Sequence, residues 1–181
     1  VKTALSDAEL ASFPCSYSTA ENMLTRAQVT KNDTLLITGA SGGVGSAAIQ
    51  LAKARGARVI AVAGDKKQQS VRDAGADQAL VRGASLEAAL GENSVDVVID
   101  LVGGEDWPEL LTILTPFGRY AVSGAIAGPI VELDLRTLYL KDQRFLGCTV
   151  LDDGVFSRLV GLIEQGDIKP ASSLICPGVV I

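Results

Sequence analysis

From Thr38 to Gly45 the chain reads Thr-Gly-Ala-Ser-Gly-Gly-Val-Gly, with the apolar run Leu35-Leu36-Ile37 directly before it and a helical stretch, Ser46 to Ala54, directly after. Glycine tolerates positive φ and carries no Cβ, so a backbone rich in it can close up on a pyrophosphate. The first N–H groups of the helix that follows have no intrahelical acceptor and present partial positive charge at the same place. The chemistry on offer is phosphate binding, and a strand, a glycine turn and a helix in that order point to a dinucleotide. Ser41, Gly42, Gly43, Val44 and Gly45 are the expected cradle.

Other chemistries are excluded by what is missing. The 181 residues include no histidine, which removes a Ser-His-Asp triad, a Cys-His pair and any His-ligated zinc from the chain. No catalytic residue and no metal ligand is assigned within it. Cys15, Cys148 and Cys176 lie far apart, form no CxxC pair and cannot all pair with one another, which suits a reducing compartment. A formal charge of −5 and a pI near 4.7, with no run of Lys or Arg, leave no electrostatic footprint for nucleic acid or an anionic membrane. No apolar run reaches bilayer length and no charged-then-apolar leader opens the chain, so the cytoplasm is the expected location. Val1 opens the sequence and Met23 is its single methionine, which suggests a fragment of a longer product.

A phosphate cradle needs a rigid frame. With 48% hydrophobic residues and a mean hydropathy of +0.30, the chain has enough apolar surface for one globular domain. The first 16 residues carry no strong period and Pro14 marks a break, so residues 1–17 read as an entry linker to a dinucleotide-binding domain over residues 18–170. Within it the spacing predicts a helix over Ser18–Ala27 and then an alternation: strand Thr34–Thr38, helix Gly45–Ala54, strand Ala57–Ala63, helix Lys66–Ala74, strand Gln78–Val81 and helix Leu86–Leu90. Strand Val95–Val102, helix Trp107–Leu114, strands Arg119–Val122 and Phe145–Val150, and helix Val155–Gln165 complete it. Leu35–Ile37, Val59–Val62 and Val95–Leu101 are apolar almost throughout, as strands covered on both faces are. The expected fold is α/β, a Rossmann doubly wound parallel sheet of about six strands with helices on both faces and the ligand where the strand order reverses.

Thr38 to Gly45 satisfies two fingerprints, the TGxxxGxG of short-chain dehydrogenases and a shifted form, Ala40-x-Gly42-x-x-Gly45. Short-chain enzymes need a tyrosine with a lysine four residues on. Tyr17, Tyr120 and Tyr139 are followed at that spacing by Glu21, Gly124 and Gln143, so that class is rejected. Many further segments agree with another family. They are Gly39–Gly45 running into Ala48–Lys53, Arg55–Ala61, Gly75–Asp77, Val95–Gly104 and Gly118–Gly124. On these, residues 10 to 170 resemble the cofactor-binding domain of the medium-chain dehydrogenase/reductase superfamily, particularly its quinone-oxidoreductase-like and zinc-binding alcohol-dehydrogenase-like branches. The resemblance implies a two-domain oxidoreductase whose other domain supplies the substrate cleft and, in the zinc branch, the metal ligands. Residues 171–181 then lead toward that absent catalytic domain, and the chain alone is expected to be inactive. A noncatalytic nucleotide-binding module for sensing or assembly is the rival reading.

Cofactor choice turns on the end of the second strand, where an NAD site places an acid on the ribose 2′-OH. Here the residues are Ala63 and Gly64, followed by Lys66 and Lys67, with Arg82 ending the third strand. A small neutral pair flanked by cations favours a 2′-phosphate, so NADP(H) is expected. Asp65 stands one or two positions from the selective acid and keeps NAD(H) open. The nicotinamide is expected over Val102-Gly103 and Ser123-Gly124, where glycine lets backbone N–H and C=O groups approach a carboxamide. Cys15 and Cys148 read as buried small residues, and Trp107 as a packing residue. Phe145–Val150 has no strand after it, so it should lie at the sheet edge, and the resemblance implies a homodimer through that strand.

Overall fold

A computed structural model of the chain describes residues 1–170. Its strands are β1 (Thr34–Ile37), β2 (Arg58–Ala63), β3 (Gln78–Val81), β4 (Val95–Asp100), β5 (Leu114–Val122) and β6 (Arg144–Gly147). They form one sheet in the order β3-β2-β1-β4-β5-β6, and every pair is parallel. The helices are α1 (Asp7–Ala11), α2 (Ser16–Arg26), α3 (Gly43–Ala54), α4 (Gln68–Asp73), α5 (Leu86–Leu90), α6 (Trp107–Ile113), α7 (Leu135–Leu140) and α8 (Val155–Gln165). The expected doubly wound α/β fold is the observed one.

Continuous apolarity of the strands has a direct cause. Successive side chains leave a strand on opposite faces, and here each face meets helices. Leu35, Ile37, Val59, Ala61, Val97 and Ile99 pack with Met23, Leu24, Ile49 and Leu159 of α2, α3 and α8. Leu36, Ile60, Val62, Val95 and Val98 pack on the other face with Leu86 of α5 and with Trp107, Leu110 and Leu111 of α6. Each large aliphatic side chain buried this way contributes about 1.5–3 kcal/mol.

Some boundaries differ from expectation. Residues 1–17 are not a bare linker: Ser6 and Glu9 form a reciprocal capping box at the start of α1, and Phe13 and Tyr17 are buried with ring centroids 4.5 Å apart. A five-residue helix is too short to show a period, so only its cap residues signal it. The helix expected from Lys66 starts with a 3₁₀ turn, Asp65–Lys67, before α4. Helix α7 has no buried residue and hence no apolar stripe to read. The last strand stops at Gly147 instead of Val150, although the Cys148 N–H still donates to the Val122 carbonyl at 2.9 Å, and β6 does lie at the sheet edge. The expectations for residues 171–181, including Cys176, fall outside the described residues.

Candidate dinucleotide site

Strand β1 has β2 on one side and β4 on the other, so the chain crosses in opposite directions from it and a crevice opens at its carboxyl end. The turn leaving β1 is bonded to both neighbours: Thr38 N–H donates to the Ile99 carbonyl at 3.0 Å and Ala40 N–H to the Val62 carbonyl at 3.1 Å. Gly39 takes φ +59°, and a Cβ there would come within 3.1 Å of Val102 Cγ2, which brings the first and fourth loops together. Gly42 caps α3 without a side-chain bond, and Ser46 N–H already reaches the Gly42 carbonyl. The N–H groups of Gly43, Val44 and Gly45 have no acceptor among the described residues and face outward from the helix start. Ser41 and Gly42 are exposed, while Gly45 is buried against the turn, where a Cβ would fall 2.4 Å from the Gly39 carbonyl oxygen. Gly45 thus serves helix–strand packing, and Ser41 to Val44 form the rim.

Beside this rim the ends of β2 and β3 make a neutral floor with a cation over it. Arg82 N–H donates to the Ala63 carbonyl at 2.8 Å, and its Nη2 lies 3.9 Å from where a Gly64 Cβ would stand. Gln68 Nε2 donates to the carbonyls of Ala63 at 2.9 Å and Leu80 at 3.1 Å, which holds α4 against both strand ends. Thr38, Gly39, Val62, Arg82, Val102 and Gly103 line one crevice. Lys66 and Lys67 are exposed, are absent from its walls and make no ion pair among the described residues.

At the end of β4, in the wall of the same crevice, Asp100 is fully buried. Its carboxylate accepts from Thr38 Oγ1 at 2.5 Å, Val102 N–H at 2.9 Å, Gly103 N–H at 3.1 Å and the Tyr120 hydroxyl. Burial, reinforced by the bond to Asp100, pushes the Tyr120 hydroxyl far above the usual tyrosine range and keeps it a donor. The Ser123 N–H goes to the Asp100 backbone carbonyl at 3.1 Å. The N–H groups of Val102, Gly103 and Ser123, expected to face a carboxamide, are therefore spent inside the fold; the N–H of Gly124 has no acceptor among the described residues.

Ser123, Gly124 and Ala125 share a groove with Gly147, Cys148, Thr149 and Val150, which sequence reasoning had placed in the edge strand. Buried Asn22 fixes that second wall, donating from Nδ2 to the Val150 carbonyl at 3.1 Å and accepting from Asp152 N–H at 3.0 Å. A lone asparagine inside a helix carries no sequence signal for this contact between α2 and the loop after β6.

Cys148 is buried as expected, and burial pushes its thiol up; Cys15 instead is exposed, because it stands one residue before α2. Trp107 packs edge-on against Tyr120 and Phe145 at centroid distances of 4.7 and 5.4 Å. Among the described residues no three His, Cys, Asp or Glu side chains gather as a metal site.

A family model described as zinc-binding dehydrogenase matches residues 43–165. Acryloyl-coenzyme A reductase of Metallosphaera sedula is 35% identical over 172 residues, which cover 94% of this chain and 51% of that protein. The structure of a putative alcohol dehydrogenase from Sinorhizobium meliloti matches with a TM-score of 0.89 and 52% identity over 94% of this chain and 49% of that one. That of the 2-octenoyl-CoA carboxylase reductase CinF, in complex with NADP and 2-octenoyl-CoA, matches with a TM-score of 0.82 and 26% identity over 92% of this chain and 43% of that one. The chain spans about half the length of the curated relatives it matches. With its glycine turn at the sheet's switch point and this breadth of likeness, the chain belongs to the zinc-binding dehydrogenase family, as the cofactor-binding domain of the medium-chain dehydrogenase/reductase superfamily.

Proposed function

We propose that the chain binds NADP(H) along the carboxyl edge of its sheet, as the cofactor half of an oxidoreductase that moves a hydride to or from a carbonyl, an alcohol or an activated alkene. The observation that carries the cofactor choice is the Arg82 guanidinium beside the Cβ-free Gly64. A ribose 2′-phosphate would meet an open, neutral floor and a planar cation suited to bidentate phosphate bonding. Exposed Lys66 and Lys67 add long-range attraction, and Asp65 opposes it. The pyrophosphate would rest on Gly42–Val44, and the nicotinamide over the groove between Ser123–Ala125 and Gly147–Val150. NADP supplies the hydride chemistry when bound; the residues here bind and orient it. The name of the acryloyl-coenzyme A relative and the NADP complex of the 2-octenoyl-CoA relative support both the cofactor and an alkene substrate.

The reading has three further parts, each with its own support. In this reading the substrate groups belong to a further domain of the whole protein, which is supported by the chain's spanning about half the length of its relatives. Strand β6 ends the sheet with one edge unpaired among the described residues, which supports a homodimer joined there. Cys15 and Cys148 are free thiols, in keeping with the cytoplasm. Calorimetric titration with NADPH and, separately, NADH tests the core of this reading. Tighter NADPH is the expected result; tighter NADH would assign selectivity to Asp65, and no binding of either would overturn the cofactor reading.

A further inference from the structure

Toward the expected nicotinamide end the Gly124 N–H has no acceptor among the described residues, and a backbone group is only as well placed as the loop that carries it. Two loops matter, Leu101–Gly104 after β4 and Ser123–Gly128 after β5. They pair with one another: Ala127 N–H donates to the Val102 carbonyl at 2.9 Å and Gly104 N–H to the Gly128 carbonyl at 3.1 Å. Gly103 is the pivot, with φ +63°, and a Cβ there would stand 2.9 Å from the Gly128 oxygen.

One side chain holds this pair of loops to the sheet. Asp100 sits at the end of β4 with no exposure, and its carboxylate gathers donors from three strands' ends. Thr38 reaches it from β1 and Tyr120 from β5, and the Val102 and Gly103 N–H groups close a tight turn back onto it. Thr38 Oγ1, having donated to Asp100, accepts from Leu101 N–H at 3.0 Å, so the loop is pinned at three consecutive amides. A carboxylate is the one side chain that can accept from four donors at once. An amide of the same shape would aim an N–H at one of them and lose an acceptor.

We propose that Asp100 is a positioning residue for the nicotinamide end of the dinucleotide, acting through the loops Leu101–Gly104 and Ser123–Gly128, while the adenosine end is held independently by the rim and by Arg82. The inference rests on the cofactor reading above. It separates two halves of one ligand: the adenosine end would meet Gly64, Arg82 and the start of α3, none of which bonds the Asp100 side chain, although Arg82 and Asp100 line one crevice.

The test uses the full chain with NADPH and with 2′-phospho-ADP-ribose, which keeps every part of the ligand except the nicotinamide. Asp100→Asn should weaken NADPH about tenfold, the size expected from disrupting charge-assisted bonds to backbone N–H groups, and leave 2′-phospho-ADP-ribose within about twofold. The fluorescence gain of the reduced nicotinamide on binding should fall with the variant at saturating ligand, a signal that a merely structural loss would not move. Tyr120→Phe removes one donor and keeps the carboxylate, so it carries the test if Asp100→Asn does not fold; it should weaken NADPH about threefold with the same selectivity. Equal losses for both ligands, or no loss for NADPH, would overturn the assignment of Asp100 and leave the cofactor reading standing. Failure of the unmodified chain to bind either ligand would overturn both.

Discussion

Gln50 on α3 holds both backbone groups of Lys169: its Nε2 donates to the Lys169 carbonyl at 3.1 Å and its Oε1 accepts from the Lys169 N–H at 2.9 Å. The Tyr17 hydroxyl joins the same carbonyl at 2.5 Å and accepts from Gln50 Nε2 at 3.0 Å. Two helices from the first third of the chain thereby set the direction in which the chain leaves α8. Gln50→Ala should lower stability by about 1–2 kcal/mol and speed amide hydrogen exchange at residues 167–169, with the central strands unaffected. Unchanged exchange at Lys169 would show that the clamp holds nothing.

Gly45 and Gly42 belong to one motif and predict opposite outcomes. An alanine at Gly45 puts its methyl 2.4 Å from the Gly39 oxygen and 2.6 Å from Ala40 Cα, so Gly45→Ala should cost about 2 kcal/mol or more in urea unfolding. Gly42→Ala meets that oxygen at 3.4 Å with φ −80° and should unfold within about 0.5 kcal/mol of the parent. Its loss should appear in nucleotide affinity alone, because the added methyl faces the phosphate rim.

Arg82 should discriminate between cofactors. Arg82→Gln is expected to weaken NADPH about tenfold while leaving NADH within about twofold, since only the former carries a 2′-phosphate for the guanidinium. Equal effects on both cofactors in parallel titrations would move the selective contact elsewhere.

Glu21, Arg55 and Arg158 tie α2, α3 and α8 together. Glu21 Oε1 accepts from Arg55 Nη2 at 2.7 Å and Arg158 Nε at 3.2 Å, and the Glu21 side chain is 2% exposed. Glu21→Gln should cost about 2 kcal/mol, less than a wholly buried pair, because Arg158 is 45% exposed and can turn to water. In the Arg158→Ala background the same change should cost nearly as much, which a double-mutant cycle measures directly.

Acid should expose the role of Asp77. Burial raises the pKa of its carboxyl, but the Val59 N–H at 2.7 Å and the Lys53 ammonium at 2.9 Å lower it by more, so it lies below its ordinary value in the folded protein. A depressed folded pKa stabilises the protein above the ordinary value, near pH 4, and that contribution disappears as pH falls through the folded value. Asp77→Asn should therefore be less stable than the parent at pH 7, and the gap in urea midpoints should narrow toward pH 3. A constant gap across that range would count against the linkage.

Much of the fold was legible because its signals are local. Apolar strands such as Leu35–Ile37 and Val59–Val62 announce burial on both faces, glycines at helix ends mark the stops, and the run from Gly39 to Gly45 follows its strand immediately. The glycine turn and the helix start after it were legible for the same reason, since they are contiguous in the chain. Helix α1 was missed because five residues carry no period, and α7 because it buries nothing.

The order and chemistry of the amino acids alone settled a parallel, doubly wound sheet, a glycine-rich turn at the end of its first strand, and a chain without histidine chemistry. Folding in three dimensions settled which polar groups are spent inside the fold and which are left without a partner among the described residues. Thr38, Asp100 and Tyr120 are 62 and 20 residues apart along the chain, and only the β1-β4-β5 register brings their oxygens together. The same register consumes the Val102 and Gly103 N–H groups that composition alone would have offered to a cofactor. Hydrogen bonds of this kind depend on distances between strand ends, and those distances are set by sheet pairing and helix packing rather than by any short stretch of residues.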